Sequence, residues 1–240
     1  MRIGILKCDT VAPELLPEFG DYPDMFRRLL GAGADDIAFR DYDLTAGTFP
    51  QSLDECDAWL FTGSKWSAYE PDDWIRQAHG LAGELHRERR PTVGICFGHQ
   101  LIARALGGRV ERAEVGWGVG VHTARILERR PWMQPVRGEL PLLVSHQDQV
   151  VEPAPGASVL AGHDFCPYDM TQVGDHILTF QGHPEFPVGY SRATMDMRRE
   201  RLGEDTYRRG IASLEQPIEP TVAAEWIHNF LRTAHDHRTT

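Results

Sequence analysis

The chain has 240 residues, of which 41% are hydrophobic and 25% are charged, and its formal net charge is −10 at pH 7. This length and composition suffice for one large α/β domain with a sizeable core. The acidic balance argues against a nucleic-acid-binding surface, which needs clustered Lys and Arg. No stretch approaches the ~20 consecutive apolar residues that a membrane span requires, so we expect no membrane association.

The cysteines indicate the cellular compartment. The chain has four of them, Cys8, Cys56, Cys96 and Cys166, and no two form a Cys-x-x-Cys pair. This spacing supports neither a zinc ribbon nor a thioredoxin-type motif, and free thiols in a long chain are typical of a reducing compartment. The apolar run after Met1 is too short for a signal peptide. We therefore expect a cytoplasmic protein.

The first part of the chain predicts the opening of a doubly wound sheet. Arg2 to Leu6 is a short apolar run typical of a central strand. Apolar residues from 22 to 30 recur at helical spacing, and Gly31 and Gly33 end that helix. Asp36 to Tyr42 alternates as a second strand does. The pattern is β-α-β.

The next strand leads into a candidate anion-binding turn. Ala58 to Phe61 is apolar and runs directly into Thr62-Gly63-Ser64. A Gly-Ser turn at the carboxyl end of a strand often exposes backbone N–H groups, although an ordinary strand-to-loop turn fits equally well. Asp72 to Arg90 follows as an amphipathic helix.

Residues 91–108 carry the most informative pattern. Thr92 to Ile95 predicts a buried strand, Gln100 to Leu106 predicts a helix, and Cys96 lies between them with Gly94 and Gly98 on either side. This strand–turn–helix arrangement is typical of a nucleophile elbow, in which flanking glycines relieve the crowding of a strained turn.

Cys96 has the chemical setting of a nucleophile. A thiol at a helix N-terminus feels the positive end of the macrodipole, which favours the thiolate. The backbone N–H of Phe97 could receive the oxyanion of an acyl intermediate. A cysteine after an apolar run is more often an inert core residue, but the two glycines and the following helix favour the nucleophile.

After Gly108 the pattern changes to short strands, which predict an antiparallel β section appended to the parallel sheet. The predicted segments are 109–127, Leu140 to Val144, Val159 to Ala161, Pro167 to Val173 and His176 to Phe180. Charged helical sequence follows at 188–214, and Thr221 to Ala234 predicts a terminal helix. No linker separates these parts, so we expect a single domain over 1–240 with residues from about 188 to 240 as its helical extension.

A thiolate nucleophile needs a proton carrier, which is most often His. His146 and His183 each follow the end of a predicted strand. Glu185 lies two residues after His183, where its carboxylate can orient the imidazole. We favour His183 as the base. His146 is the alternative base, or lines a substrate pocket, and a hydrogen-bonded turn histidine remains an alternative for His183.

Three of these segments together resemble a known family. The sequence 94–100, Gly-Ile-Cys-Phe-Gly-His-Gln, resembles the nucleophile motif of the class I (triad-type) glutamine amidotransferase domain. Gly182-His183-Pro184-Glu185 resembles its His-x-Glu motif, and Thr62-Gly63-Ser64 resembles the loop that completes its oxyanion hole. The resemblance covers residues 1 to about 187. It implies a flavodoxin-like α/β fold, a mostly parallel doubly wound sheet flanked by helices, with a small antiparallel section.

The family resemblance also implies an activity. Members release ammonia from the side-chain amide of glutamine through a γ-glutamyl thioester, without a cofactor or metal. Carried over to this sequence, Cys96 is the nucleophile, His183 the acid–base and Glu185 the residue that orients it. The oxyanion hole is assigned to N–H groups of Gly63, Ser64 and Phe97. The substrate contacts are assigned to Gln100 and to the segment Ser145, His146 and Gln147.

The chain departs from the family in lacking a Gly-x-x-x-x-Gly-Lys-[Ser/Thr] motif for ATP and room for a second catalytic domain. Ammonia would therefore go to a separate synthetase. One alternative is a γ-glutamyl peptide or polyamine hydrolase with the same triad, its pocket lined by Trp66, Tyr69 and Trp117. Another is a catalytically silent binding or regulatory subunit.

Two further expectations concern other sites. A metal site built from Cys96, His99 and His183 is the least favoured reading, because no further ligand sits at zinc-like spacing. Trp226 and Phe230 on the last helix are expected to be exposed apolar residues, which would allow a homodimer or a packed lid.

Overall fold

The computed structural model describes residues 1–32, 34 and 36–239. The strands are β1 (Arg2–Lys7), β2 (Ala38–Asp43), β3 (Ala58–Phe61), β4 (Thr92–Ile95), β5 (Arg109–Arg112), β6 (Gly118–Ile126), β7 (Glu139–His146), β8 (Asp148–Glu152), β9 (Ala157–Gly162), β10 (Met170–Val173) and β11 (Ile177–Phe180). The α-helices are α1 (Leu16–Phe19), α2 (Tyr22–Gly31), α3 (Asp73–Arg87), α4 (Phe97–Ala105), α5 (Val188–Met197), α6 (Arg199–Leu202), α7 (Glu204–Ser213) and α8 (Pro220–Thr239).

Nine strands form one mixed sheet in the order β2-β1-β3-β4-β11-β10-β9-β6-β7. The first five of these strands are parallel to one another. The remaining four continue the same sheet with antiparallel pairing. A separate antiparallel pair joins β5 to β8. The predicted α/β fold, with a doubly wound parallel sheet and an antiparallel section, is confirmed.

Helices cover both faces of the parallel part of the sheet. Alternate residues of β3 point to opposite faces: Leu60 belongs to the core that contains α2 and α8 residues, whereas Trp59 and Phe61 belong to the core that contains α3 and α4 residues. Burial on both faces explains why these strands read as continuous apolar runs rather than alternating ones.

The predicted boundaries of the central elements are close to those observed. β3 and β4 have the predicted bounds, and α2 ends at Gly31, whereas Gly33 lies outside the described residues. The helix after Cys96 begins at Phe97 rather than Gln100, so the thiol lies directly before its first turn. β8 was not predicted, because its sequence Asp-Gln-Val-Val-Glu mixes polar and apolar residues without a clear period.

The expectation that Trp226 and Phe230 are exposed is wrong. Their exposed fractions are 0% and 1%. The Trp226 indole N–H donates to the Pro135 carbonyl at 2.9 Å, and the Phe230 ring packs edge-on against Trp132 at 5.4 Å between ring centroids. Both side chains cover one face of the sheet within the same chain, so they offer no surface for a dimer or a lid. Among the described residues, no helix has the length and apolar character needed to cross a membrane.

We predict that Trp226→Ala lowers the free energy of unfolding by about 3–5 kcal/mol, because it removes a large, fully buried side chain from the core. Urea denaturation followed by circular dichroism measures this loss. The exposed neighbour Glu225 supplies the matched control, and Glu225→Ala should change stability by about 0.5 kcal/mol or less. A Trp226→Ala protein as stable as the control would contradict the packing described here.

Candidate active site

Cys96 occupies a tight turn between β4 and α4. Its φ is +52° and its ψ is −98°, a conformation that side-chain-bearing residues rarely adopt and that costs about 1–3 kcal/mol. A Cβ on Gly94 would lie 2.7 Å from the Gly98 carbonyl oxygen, and a Cβ on Gly98 would lie 2.6 Å from the Phe61 carbonyl oxygen. Both positions therefore require glycine, as the elbow interpretation expects.

His183 is held on several sides. Its Nδ1 lies 2.7 Å from Glu185 Oε1, and its ring stacks on Phe186 with 3.8 Å between centroids. The His183 backbone N–H donates to the Leu143 carbonyl at 2.7 Å, which ties the segment after β11 to β7. The imidazole thus has one orientation, with Nδ1 committed to the carboxylate.

The Cys96 thiol lies near enough to the His183 imidazole to affect its pKa. Burial alone lowers the pKa of His183, but the charges of Cys96 and Glu185, and hydrogen bonds to both, outweigh burial and raise the pKa to about 10. Protonated imidazole is therefore favoured at neutral pH. Such a cation beside the sulfur stabilises a thiolate.

The turn after β3 lies next to this imidazole. A Cβ on Gly63 would be 2.7 Å from His183 Cε1, so only glycine fits. The Ser64 hydroxyl donates to the Cys8 carbonyl at 2.9 Å, and the Lys65 backbone N–H donates to Asp9 Oδ2 at 2.9 Å. These bonds anchor the turn to the end of β1.

Phe97 is the first residue of α4. Its N–H is therefore one of the helix-terminal donors that have no acceptor within the helix. It follows the Cys96 thiol directly in the chain, which is the place that the oxyanion expectation requires.

The Gln100 side chain is hydrogen-bonded to two other parts of the protein. Its side-chain amide nitrogen donates to the Asp148 carbonyl at 2.8 Å and to Gln181 Oε1 at 3.0 Å. Gln181 in turn donates from Nε2 to the Cys96 sulfur at 3.5 Å. Gln181 was missed in the sequence, although an amide side chain directly after an apolar strand and before Gly182-His183 was a usable signal.

The segment after β7 contributes three side chains with different partners. Ser145 Oγ accepts from Arg198 Nη1 at 3.0 Å. Gln147, with its amide oriented to satisfy its neighbours, accepts from Arg112 at 2.7 and 2.9 Å. Burial, followed by the charge of nearby His122, lowers the pKa of His146 to about 3, and its Nδ1 lies 3.1 Å from the Asp148 carbonyl oxygen.

These residues line a small open cleft of about 80 Å³ that contains Cys96. All of the predicted substrate-contact residues border it, as do Trp66 and Trp117, whereas Tyr69 is not among the lining residues. The cleft also has three cationic neighbours that the sequence did not single out: Lys65, Arg198 and Arg201.

His99 has a structural environment. It is 1% exposed, its Nδ1 lies 2.7 Å from Thr179 Oγ1, and burial lowers its pKa to about 3. In the described part of the chain, no three His, Cys, Asp or Glu side chains are placed to hold a metal ion. The hypothesis of a metal site built from Cys96, His99 and His183 is therefore not supported by the side-chain positions.

Comparison with known proteins gives a consistent result. The family model described as glutamine amidotransferase class-I matches residues 54–196. Gamma-glutamyl peptidase 3 of Arabidopsis thaliana is 32% identical over 177 residues, which cover 70% of this chain and 70% of the relative. A GMP synthase (glutamine-hydrolyzing) of Pyrobaculum aerophilum is 36% identical over 110 residues, covering 46% of this chain and 20% of that protein.

A crystal structure of a glutamine amidotransferase from Thermotoga maritima has a similar fold. The TM-score is 0.74 at 18% sequence identity, and the match covers 98% of each chain. At this identity the likeness concerns the fold alone.

We predict that iodoacetamide at pH 7 modifies Cys96 at least about tenfold faster than the other thiols. Burial raises the pKa of Cys8, Cys56 and Cys166, and a raised pKa slows alkylation. His183→Ala should slow Cys96 modification about tenfold, because it removes the cation that stabilises the thiolate. Mass-spectrometric mapping measures each rate.

His228 provides the matched control, because it lies on α8 and does not line the cleft. Its Nε2 is hydrogen-bonded to the Leu30 carbonyl oxygen at 2.9 Å. His228→Ala should leave the Cys96 rate unchanged. Equal rates at all four cysteines, or a Cys96 rate insensitive to His183→Ala, would contradict the thiolate–imidazolium pair.

Proposed function

This chain belongs to the class I glutamine amidotransferase family, and we propose that it hydrolyses γ-glutamyl amides, glutamine among them, through a γ-glutamyl thioester on Cys96. The observation that carries the proposal is the His183 imidazole, which Glu185 orients at 2.7 Å and whose pKa the neighbouring Cys96 raises. Family membership and the gamma-glutamyl peptidase relatives identify a cysteine-dependent amide hydrolase.

The proposed reaction forms a thioester on Cys96 and then hydrolyses it. The Cys96 thiolate attacks the amide carbon, and N–H groups of Gly63 or Ser64 and of Phe97 receive the negative charge on the oxygen. The C–N bond breaks as the His183 imidazolium gives its proton to the leaving nitrogen. Water, deprotonated by the now neutral imidazole, then cleaves the thioester, which releases glutamate and restores the thiolate.

Glu185 has a supporting role in this scheme. Its carboxylate fixes His183 Nδ1 and leaves Nε2 for the reaction, and its charge stabilises the imidazolium. Gln181 completes the setting by holding the sulfur at 3.5 Å from its amide nitrogen. We assign Gln100 to positioning Gln181, in addition to lining the cleft.

The proposed chemistry allows two substrates. With glutamine, the released ammonia would pass to a separate synthetase, and two relatives are named as glutamine-hydrolyzing GMP synthases. With a γ-glutamyl peptide, the product would be an amino acid or peptide, a reading favoured by Trp66 and Trp117 along the cleft and by the gamma-glutamyl peptidase relatives. No resident cofactor is part of either reaction.

We place the protein in the cytoplasm, because its four cysteines are all free thiols. We also treat the described chain as one domain. The support is that α8, in the segment after residue 188, shares a core with β1 and α2 from the start of the chain.

Cys96→Ala should abolish release of ammonia from glutamine and of glycine from γ-glutamylglycine, because no nucleophile remains. Cys56→Ala is the control: it removes a buried thiol that is hydrogen-bonded to the Tyr42 hydroxyl, and it should retain turnover. Coupled assays for ammonia and glycine measure both variants, with circular dichroism to check folding. Undiminished turnover in Cys96→Ala would end the proposal, and no turnover in the wild-type protein would favour the silent regulatory subunit.

Glu185→Gln tests the acid–base assignment. Activity should fall as pH rises through about 10, where the imidazolium loses the proton needed by the leaving group. The Glu185 charge raises the pKa of His183, so Glu185→Gln should move this alkaline limb to lower pH and reduce kcat about 10²-fold or more. The pH dependence of kcat/KM measures it, and a limb that does not move would contradict the assignment.

A further inference from the structure

We infer that Arg198 and Arg201 form a subsite for the carboxylate of the leaving group, so that the preferred substrate is a γ-glutamyl peptide with a free carboxylate rather than glutamine. This inference rests on the proposed hydrolysis at Cys96. It assigns a role to the helical segment after residue 188, which lies outside the three motifs that carry the chemistry.

Arg198 is a half-buried cation at the junction of α5 and α6. Its Nη1 donates to Ser145 Oγ at 3.0 Å, and no carboxylate of the described residues forms an ion pair with it. A half-buried guanidinium without a counter-charge is available to pair with a charge that a ligand supplies. Its planar fork suits two-pronged recognition of a carboxylate.

Arg201 approaches the same cleft from α6. Its guanidinium carbon lies 4.9 Å from the centre of the Trp117 ring, which restricts the side chain, and no ion pair to it is found among the described residues. The neighbouring Arg199 provides a contrast. It forms an ion pair with Glu204 at 2.9 Å and does not border the cleft.

The position of Arg198 indicates which end of the substrate it meets. Arg198 borders both the cleft that contains Cys96 and a narrow pocket lined by His183, Ser64 and Tyr190. His183 must reach the leaving nitrogen to protonate it, so the leaving group lies on this side of the sulfur. Ammonia from glutamine has nothing to place there, whereas a leaving amino acid or peptide carries a carboxylate.

The charge at the cleft supports an anionic leaving group. Three cations, Lys65, Arg198 and Arg201, border the cleft in a chain whose net charge is −10. Lys65 is already paired with Asp9 at 3.1 Å, and the one carboxylate of the lining, Asp148, accepts from the Tyr69 hydroxyl at 3.3 Å. The cations attract a carboxylate and repel a polyamine, which disfavours the polyamine reading.

The test compares γ-glutamylglycine with γ-glutamylglycinamide, which differ only in the charge of the leaving group. The wild-type protein should have a kcat/KM about 10- to 100-fold higher for the free acid, the range expected for a charge-assisted contact. The double variant Arg198→Gln, Arg201→Gln should bring that ratio close to one. The paired residue next to them supplies the control: Arg199→Gln should keep the wild-type ratio.

Calorimetric titration of the Cys96→Ala protein with the same two compounds measures the preference without turnover. The free acid should bind about 10- to 100-fold more tightly, and Arg201→Gln alone, a substitution at an exposed side chain, should weaken that preference.

Two outcomes would overturn the subsite. One is a ratio near one in the wild-type protein. The other is a double variant that keeps the wild-type ratio of the two kcat/KM values while both values fall equally. The arginines would then bind the carboxylate of the γ-glutamyl group itself. Failure of the proposed function is distinct: the wild-type protein would release neither ammonia nor glycine, and the calorimetric comparison would still decide whether the subsite exists.

Discussion

The site depends on one strained turn that places a thiol at the edge of the sheet. Cys96 can adopt a φ of +52° there because Gly94 and Gly98 let α4 and β3 approach the backbone closely. In the sheet β4 lies between β3 and β11, and the three strands are parallel. Their carboxyl ends therefore meet at one edge, where the turn with Gly63, the thiol and His183 converge.

The second constraint is electrostatic. His183 and Glu185 are both nearly inaccessible to water, at 4% and 5% exposure, and a buried imidazolium would be costly alone. The negative charges of Cys96 and Glu185 offset that cost and raise the pKa of His183. Removal of Cys96 or Glu185 would therefore lower the pKa of His183. The charge arrangement thus links the Cys96 thiol and the His183 imidazole in one unit.

The proposed substrate choice has a different structural source from the proposed chemistry. The turn, thiol and imidazole lie at the carboxyl ends of the parallel strands. A shared fold does not determine the substrate. Here the segment after residue 188 packs against β6 and β7 and brings Arg198 to Ser145. In the proposed scheme, substitutions in this segment would change the leaving group that is accepted without disturbing Cys96.

The sequence by itself determined the α/β fold, the family and the elbow, because glycine spacing, apolar runs and a His-x-Glu pair are features of neighbouring residues. Only the tertiary structure decided which side chains support the thiol. Gln100 and Gln181 are 81 residues apart in the chain yet share a hydrogen bond, and Arg198 meets Ser145 across 53 residues. The burial of Trp226 and Phe230 likewise depended on which sheet face remained to be covered. Such contacts depend on how distant elements pack and on side-chain direction, which no local pattern encodes.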